Sequence, residues 1–324
     1  MREHHTKLTL LSQLSDGQFH SGEALGEQLG ISRAAVSKHI KGIQEWGVDI
    51  FRVQGKGYQL AKPMQLLDEA VLKAGVATPL ELIPIIDSTN QHLLNQADSL
   101  TSGAVCLAEY QAKGRGRRGR EWISPFGSNL YLSMFWRLDA GMAAAMGLSL
   151  VVGVAIVEAL EALGIEGVKL KWPNDLYYQD KKLAGILVEM SGQAGGAANL
   201  VIGMGMNLQM AAGSERSTSA ITQPWTSLSE VTGESIDRNQ LAITLIKTLH
   251  RALSDYELQG MNGFVERWNR LDNFLGRPIK LIMGPREVYG IARGINAQGA
   301  VLIETEQGVE EYVGGEVSLR GGIG

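Results

Sequence analysis

Residues 113–122 read Lys-Gly-Arg-Gly-Arg-Arg-Gly-Arg-Glu-Trp, with five positive charges, three glycines and no acid before Glu121. Guanidinium groups interleaved with glycines, whose backbone amides are free to approach a ligand, suit an anion such as phosphate. An Arg-Gly RNA-binding run and a plain solvated loop share this composition. Position favours the ligand loop: the run sits between apolar strand candidates at 105–110 and 130–136, so it is built into a folded domain.

Working outward, further strand candidates fall at 168–172, 186–190 and 200–208, and helical stretches at 140–163 and 238–258, which predicts a mixed α/β domain. From about residue 273 the pattern changes to short strands at 279–282, 288–291, 300–304 and 310–313, separated by Gly284, Gly294, Gly299 and Gly308. A small β-barrel fits that spacing. The whole therefore reads as an α+β chain in three units, 1–63, 64–272 and 273–324. At 324 residues it has room for them.

The first unit differs in charge. Residues 1–62 hold eight Lys/Arg and six Asp/Glu, net +2, which leaves −6 for the remainder of a chain whose formal charge is −4. Any nucleic-acid binding must come from a local patch rather than the whole surface. Leu8, Leu11 and Leu14 have helical spacing, Ser21 is placed to cap a second helix, and Gly30 permits a sharp turn. A third helix follows over 32–46, with Val36, Ile40 and Ile43 on its inner side and Ser32, Arg33, Ser37 and Lys38 left outside. Short strands at 49–53 and 58–60, joined by Gln54-Gly55-Lys56-Gly57, make a wing with Lys56 at its tip. This is a winged helix-turn-helix, whose second helix of the pair enters a DNA major groove. A protein-docking module of the same fold is the alternative. One such unit has weak specificity, so a DNA binder of this type works as a dimer.

Other classes are excluded. Hydrophobic residues make up 44% and charged residues 20%, so the chain buries real cores and is not globally disordered. Its one cysteine, Cys106, cannot form an intramolecular disulfide, and no secretory leader is visible, which points to a reducing, cytoplasmic setting. The uncharged stretch 140–157 is rich in Ala and Gly and lacks aromatic anchors, so it reads as a buried helix and not a membrane span.

Two further blocks carry chemistry. Lys171-Trp172-Pro173-Asn174-Asp175 places an Asn-Asp pair in a turn after a strand, where hard oxygen ligands suit Mg²⁺ or a nucleotide. Asp180-Lys181-Lys182-Leu183-Ala184-Gly185 presents two lysines in a turn, one of which, pointing inward, would hold a carboxylate and a developing phosphate charge together. A solvated Lys-Lys turn is the ordinary alternative, which the neighbouring arginine loop disfavours.

These blocks, with Asp87-Ser88-Thr89-Asn90, Gln111, and Gly203-Met204-Gly205-Met206-Asn207, occur in the order found in biotin protein ligases. With the helix-turn-helix, residues 8–320 resemble the bifunctional bacterial form, biotin ligase and biotin operon repressor. The resemblance implies a catalytic domain of the biotin/lipoate ligase type followed by an SH3-like barrel. It implies a biotin pocket of Ser88, Thr89, Asn90, Gln111, Arg115, Gly116 and Arg117, with Lys182 at the carboxylate and Lys182 and Arg117 as catalytic residues. ATP would lie near Arg117, Arg120, Trp122, Asn174, Asn207, Trp225 and Arg320, with Asp175 as the Mg²⁺ ligand. The segment 209–225 would order over the adenylate. The implied chemistry forms biotinyl-5'-AMP and passes biotin to a lysine of the biotin carboxyl carrier protein of acetyl-CoA carboxylase. The adenylate would also be the corepressor, promoting a homodimer that binds operator DNA through Ser32, Arg33, Ser37, Lys38 and Lys56; segments 140–147 and 192–199 are its candidate edges. A biotin sensor without transferase activity and a lipoate or octanoate ligase stay open as alternatives.

Overall fold

The structure, a computed structural model, describes residues 4–141, 145, 147–191, 196–210, 221 and 223–319. The N-terminal unit holds α1 (His5–Leu14), α2 (Gly22–Leu29), α3 (Arg33–Gln44) and the wing strands β1 (Ile50–Val53) and β2 (Gly57–Leu60). Ser21 and Ser32 each cap a helix, accepting from Ala24 N at 3.0 Å and Ala35 N at 3.2 Å. Gly30 takes φ +64°, the left-handed conformation that ends α2. A Cβ at Gly26 would stand 2.6 Å from Ile31 O, so α2 and the turn approach as closely as glycine allows. Val36, Ile40 and Ile43 pack inward against Leu10, Leu11 and Leu14.

The central unit is a seven-stranded mixed sheet in the order β3-β5-β7-β11-β10-β9-β8. In chain order its region contains α4 (Glu69–Gly75), β3 (Leu80–Leu82), β4 (Ile85–Ile86), α5 (Thr89–Leu94), β5 (Val105–Ala108), β6 (Tyr110–Gln111), β7 (Asn129–Leu138), α6 (Leu148–Ala162), β8 (Lys169–Lys171), β9 (Asp175–Tyr178), β10 (Lys181–Ser191) and β11 (Ala198–Asn207). Then follow α7 (Leu228–Thr232), α8 (Arg238–Gln259) and α9 (Val265–Leu271). Strand β7 is buried on both faces, and its alternation sorts the side chains. Leu130, Leu132, Met134, Trp136 and Leu138 meet α6 and α8 in the main core, while Phe135 joins Cys106, Val201 and Leu93 of α5 on the other side. Helix α6 is almost wholly apolar because it is sandwiched there. No described helix is long and apolar enough to cross a membrane.

The last unit is a five-stranded antiparallel sheet built from β12 (Pro278–Met283), β13 (Arg286–Ile295), β14 (Val301–Thr305), β15 (Gly308–Tyr312) and β16 (Glu316–Leu319), ordered β15-β14-β13-β12-β16.

The sequence reading missed α5, β9 and the short helices α4, α7 and α9, whose runs are too brief for periodicity to register. Two expected turns are also strand. Asp175 opens β9, and Lys181 and Lys182 open β10; the reversal between them falls at Gln179 and Asp180, which carry positive φ of 47° and 62°. Two such residues form the primed turn that matches strand twist, and sequence alone does not flag a Gln-Asp pair for it.

The N-terminal unit docks on the central one. Trp46 stacks on Phe126 at 5.7 Å between centroids and lies 6.1 Å from Tyr110. Its carbonyl accepts from Phe126 N at 2.9 Å. Behind this contact Glu109 and Arg238, 3% and 1% exposed, form a 2.6 Å ion pair. Glu109 also accepts from Leu67 N, and Arg238 donates to Gln65 O, so the connecting segment is clamped on both sides.

Candidate functional site

A cleft opens where α5, the arginine loop and the strands β9, β10 and β11 converge, with Glu316 of the last unit at its rim. Its floor is made by absent side chains. A Cβ at Gly203 would stand 2.8 Å from Asn90 Cγ, one at Gly205 2.9 Å from Trp122 Cζ2, and one at Gly185 3.0 Å from Trp122 Cζ3. Three glycines on adjacent strands therefore let an amide and an indole lie flat on the sheet.

At one end the polar groups are locked together. Ser88, Thr89 and Asn90 are all buried, Ser88 capping α5 by accepting from Gln91 N at 3.3 Å. Gln111 Oε1 accepts from Thr89 N at 3.0 Å and from its hydroxyl at 3.1 Å, and Gln111 Nε2 donates to Ser124 Oγ at 3.2 Å. Ser133 Oγ, fully buried on β7, lies 2.6 Å from Asn90 Oδ1 and 2.7 Å from Thr89 Oγ1. Asn90 Nδ2 donates to Leu187 O at 3.2 Å and Glu189 Oε2 at 2.9 Å. The same Glu189 oxygen takes Arg115 at 2.8 Å, tying the arginine loop to the pocket wall.

The other end is strongly charged. Lys182 Nζ lies 2.9 Å from Asp175 Oδ1 and 5.5 Å above the Trp122 ring. Arg117 donates to Asn174 Oδ1 at 3.0 Å, and Asn174 Nδ2 to Ile186 O at 2.8 Å. Arg120 makes a two-pronged contact with Glu316, at 3.2 and 2.5 Å. That bond holds the Glu316 carboxyl below its usual range, whereas burial lowers the Arg117 guanidinium and the Lys171 ammonium. Burial likewise pushes the Tyr177 phenol up to about 12. Trp122 Nε1 and Asp175 Oδ1 are buried with no hydrogen-bond partner among the described residues, Asp175 having only the ion pair.

The cleft thus brings together Ser88, Thr89, Asn90, Gln111, Arg115, Gly116, Arg117, Arg120, Trp122, Asn174, Asp175 and Lys182. Asn207 and Trp225 line an adjoining hollow with Met210 and Gln223. There Asn207 Nδ2 donates to Thr226 O at 3.0 Å, and Trp225 is half-buried where its chain runs beside Lys182. Arg320 lies outside the described residues, as do 142–144, 146 and 192–195 of the candidate dimer edges and 211–220 and 222 of the closing segment.

Sequence reasoning missed Ser133, Glu189 and Glu316. Ser133 had a signal, a serine inside an apolar strand; the other two had none, because their partners are 74 or more positions away. On the N-terminal unit Arg33, Lys38 and Lys56 are exposed and Ser37 is half-buried. Ser32 spends its hydroxyl on capping α3, and Lys56 Nζ lies 5.4 Å over Phe19.

Comparison with known proteins agrees with this architecture. Residues 82–207 match the biotin/lipoate A/B protein ligase family, residues 6–59 an HTH domain and residues 274–320 the biotin protein ligase C-terminal domain. The chain is 52% identical over 321 residues to the bifunctional ligase/repressor BirA of Salmonella typhimurium and to that of Escherichia coli, covering 99% of each protein. It is similar to the solved biotin protein ligase of Aquifex aeolicus in complex with biotin and ATP, with a TM-score of 0.65, 32% identity, and coverage of 75% of this chain and 98% of that one. The chain belongs to the biotin protein ligases, in the branch that carries an N-terminal helix-turn-helix and is named for a joint ligase and repressor.

Proposed function

We propose that this protein is a cytoplasmic, ATP-dependent biotin protein ligase that also represses transcription. The observation that carries the ligase reading is the cleft's polarity. One end offers buried, mutually oriented amide and hydroxyl groups, and the other two lysines, Lys171 and Lys182, with Arg117, Arg118 and Arg120, in one groove over a glycine floor. Biotin fits it: a ureido ring with two donors and one acceptor at the first end, a carboxylate at the second. In this reading Ser88, Thr89, Asn90, Gln111 and the chain at Arg115, Gly116 and Arg117 bind biotin. Arg117, Arg120, Trp122, Asn174, Asn207, Trp225 and Arg320 serve the nucleotide.

Lys182 and Arg117 act as catalytic residues by neutralising the charge between two anions, the biotin carboxylate and the α-phosphate, as they close. The carboxylate oxygen forms a bond to the α-phosphorus, and pyrophosphate leaves with the electron pair. A lysine amine of the biotin carboxyl carrier protein of acetyl-CoA carboxylase then attacks the biotinyl carbonyl, and AMP leaves. No residue of this chain becomes covalently modified.

The described residues hold no cluster of three or more metal-ligating side chains, so Mg²⁺ would rest on Asp175 together with phosphate oxygens and water, an arrangement ordinary for that ion. The buried Asp175 Oδ1, whose one partner is the Lys182 ammonium, fits it if that lysine turns to the substrate. When bound, Mg²⁺ supplies charge that screens the phosphates.

Biotinyl-5'-AMP is also the corepressor: it promotes homodimerisation, and two N-terminal units, each residues 1–63, bind operator half-sites through Ser32, Arg33, Ser37, Lys38 and Lys56. The catalytic unit spans 64–272 and the barrel 273–324. Incubating a purified carrier domain with this protein, biotin and MgATP is expected to add one biotinyl group by mass spectrometry, with nothing added when ATP is omitted. Biotin binding without any transfer would favour a sensor-repressor. Gel shifts should tighten with biotin plus ATP; operator affinity indifferent to them would sink the coupling.

A further inference from the structure

One row of in-register residues crosses the sheet beneath the cleft. Gly205 of β11 faces Gly185 of β10, Gly185 faces Asp175 of β9, and Asp175 faces Lys171 of β8. Directly opposed residues of antiparallel strands project from the same face, and neighbouring strands stand about 4.8 Å apart, so the row runs roughly 14 Å. Its chemistry changes in order. The glycines carry the Trp122 indole, Asp175 holds Lys182, and Lys171 stands at the outer end, lining the same cleft.

Lys171 differs from Lys182, the other lysine of the site. Its side chain is only 9% exposed, and its ammonium donates to the neutral Tyr177 hydroxyl at 3.1 Å. No carboxylate stands within 4 Å of it among the described residues, whereas Lys182 already has Asp175 and Arg120 has Glu316. A buried cation whose side-chain hydrogen bond goes to a phenol, with Asp175 and Glu316 acting on it only from beyond ion-pair distance, is costly unless an anion comes to it.

Resting on the ligase reading, we propose that Lys171 is a catalytic residue of the adenylation step, where its ammonium receives the leaving pyrophosphate. Phosphoryl-group chemistry of this kind places nucleophile and leaving group in line on opposite sides of phosphorus. Biotin enters from the Asn90 end, over β7 and β11, and its carboxylate reaches phosphorus beside Lys182 and Arg117. The bond from the α-phosphorus to the bridging oxygen therefore breaks toward β8. As it breaks, that oxygen gains negative charge, and Lys171 stabilises it without giving up its proton. The second half of the reaction, acyl transfer from biotinyl-5'-AMP to an amine, contains no pyrophosphate and makes no use of Lys171.

The test uses the full-length protein and separates the halves. Biotin-dependent exchange of labelled pyrophosphate into ATP reads the first, and single-turnover transfer from synthetic biotinyl-5'-AMP to a carrier domain reads the second. Lys171→Met should slow exchange by about 10²- to 10³-fold, in line with loss of one aimed charge, while transfer stays within about threefold of wild type. Lys171→Arg, which keeps the charge, should retain exchange to within about tenfold. Exchange unchanged in Lys171→Met, equal losses in both half-reactions, or equal losses in the two variants would overturn the assignment. Absence of exchange in the wild-type protein would instead remove the ligase reading on which it rests.

Discussion

Lys182 Nζ sits 2.9 Å from Asp175 Oδ1, with both side chains 13% exposed, so the lysine proposed to meet the substrate carboxylate is paired with a carboxylate of the chain itself. On the proposed mechanism biotin would compete with Asp175 for it, and an ion bound by Asp175 would release Lys182 toward biotin. Lys182→Ala is expected to reduce carrier biotinylation by about 10²- to 10³-fold, the usual loss for one aimed charge. Asp175→Asn, which removes the competing carboxylate, should tighten biotin binding in calorimetry while shifting the Mg²⁺ requirement of ligation to higher concentration. Unaltered Mg²⁺ dependence would remove Asp175 from that role.

The glycine floor makes a steric prediction. A methyl group at residue 203 runs into the Asn90 amide, whose orientation depends on Ser133, Leu187 and Glu189. Gly203→Ala is therefore expected to raise the KM for biotin by roughly 10- to 100-fold, the equivalent of about 1.4–3 kcal/mol, with the KM for ATP nearly constant. Steady-state kinetics in each substrate checks the split.

The buried Glu109–Arg238 pair predicts a stability loss out of proportion to one contact. Removing Arg238 strands a carboxylate that is 3% exposed, so Arg238→Ala should cost about 3–5 kcal/mol in denaturant unfolding. Gln111, two residues beyond Glu109, should then bind biotin less well.

Trp46 is the hub between the N-terminal and central units, stacked on Phe126 and facing Tyr110. Trp46→Ala should cost about 3–5 kcal/mol and split thermal unfolding into two transitions, with operator binding weakened more than ligation. Separately, if Lys38 contacts a phosphate, Lys38→Ala should flatten the dependence of log K on log salt by about one unit while weakening all DNA sequences alike. An unchanged slope would place Lys38 off the DNA.

Asp272, at the junction with the last unit, accepts from Phe274 N at 2.9 Å, yet burial pushes its carboxyl up to about 6 from its ordinary 3.8. Between these values the folded chain holds a proton that the unfolded chain has lost. Stability from this group is thus present below about pH 4 and is lost as pH rises through about 6, on the order of 2–3 kcal/mol. Asp272→Asn should remove that decline and raise stability at pH 7.5 relative to wild type, as read by urea unfolding at pH 5 and 7.5.

Much of the architecture was legible one segment at a time. Val36, Ile40 and Ile43 show the inner face of α3 by spacing alone, and Gly30 shows the turn before it. The long strands β7, β10 and β11 announce themselves as apolar runs, and the arginine loop stands out because so much like charge is tolerated only where an anion compensates. What the chain itself determined are these local matters: helix periodicity, caps, turns, and the residue types able to meet a carboxylate, a ureido ring or a phosphate.

Only the tertiary structure decided which of those residues meet. Sheet register, set by pairings between strands far apart in sequence, aligns Gly205, Gly185, Asp175 and Lys171 under one cleft. It also brings Ser133 to Asn90 across 43 positions and Glu316 to Arg120 across 196. The physical reason is that hydrogen-bond and ion-pair energies depend on distance and orientation, quantities that a one-dimensional pattern does not contain until burial of the common core brings the strands together.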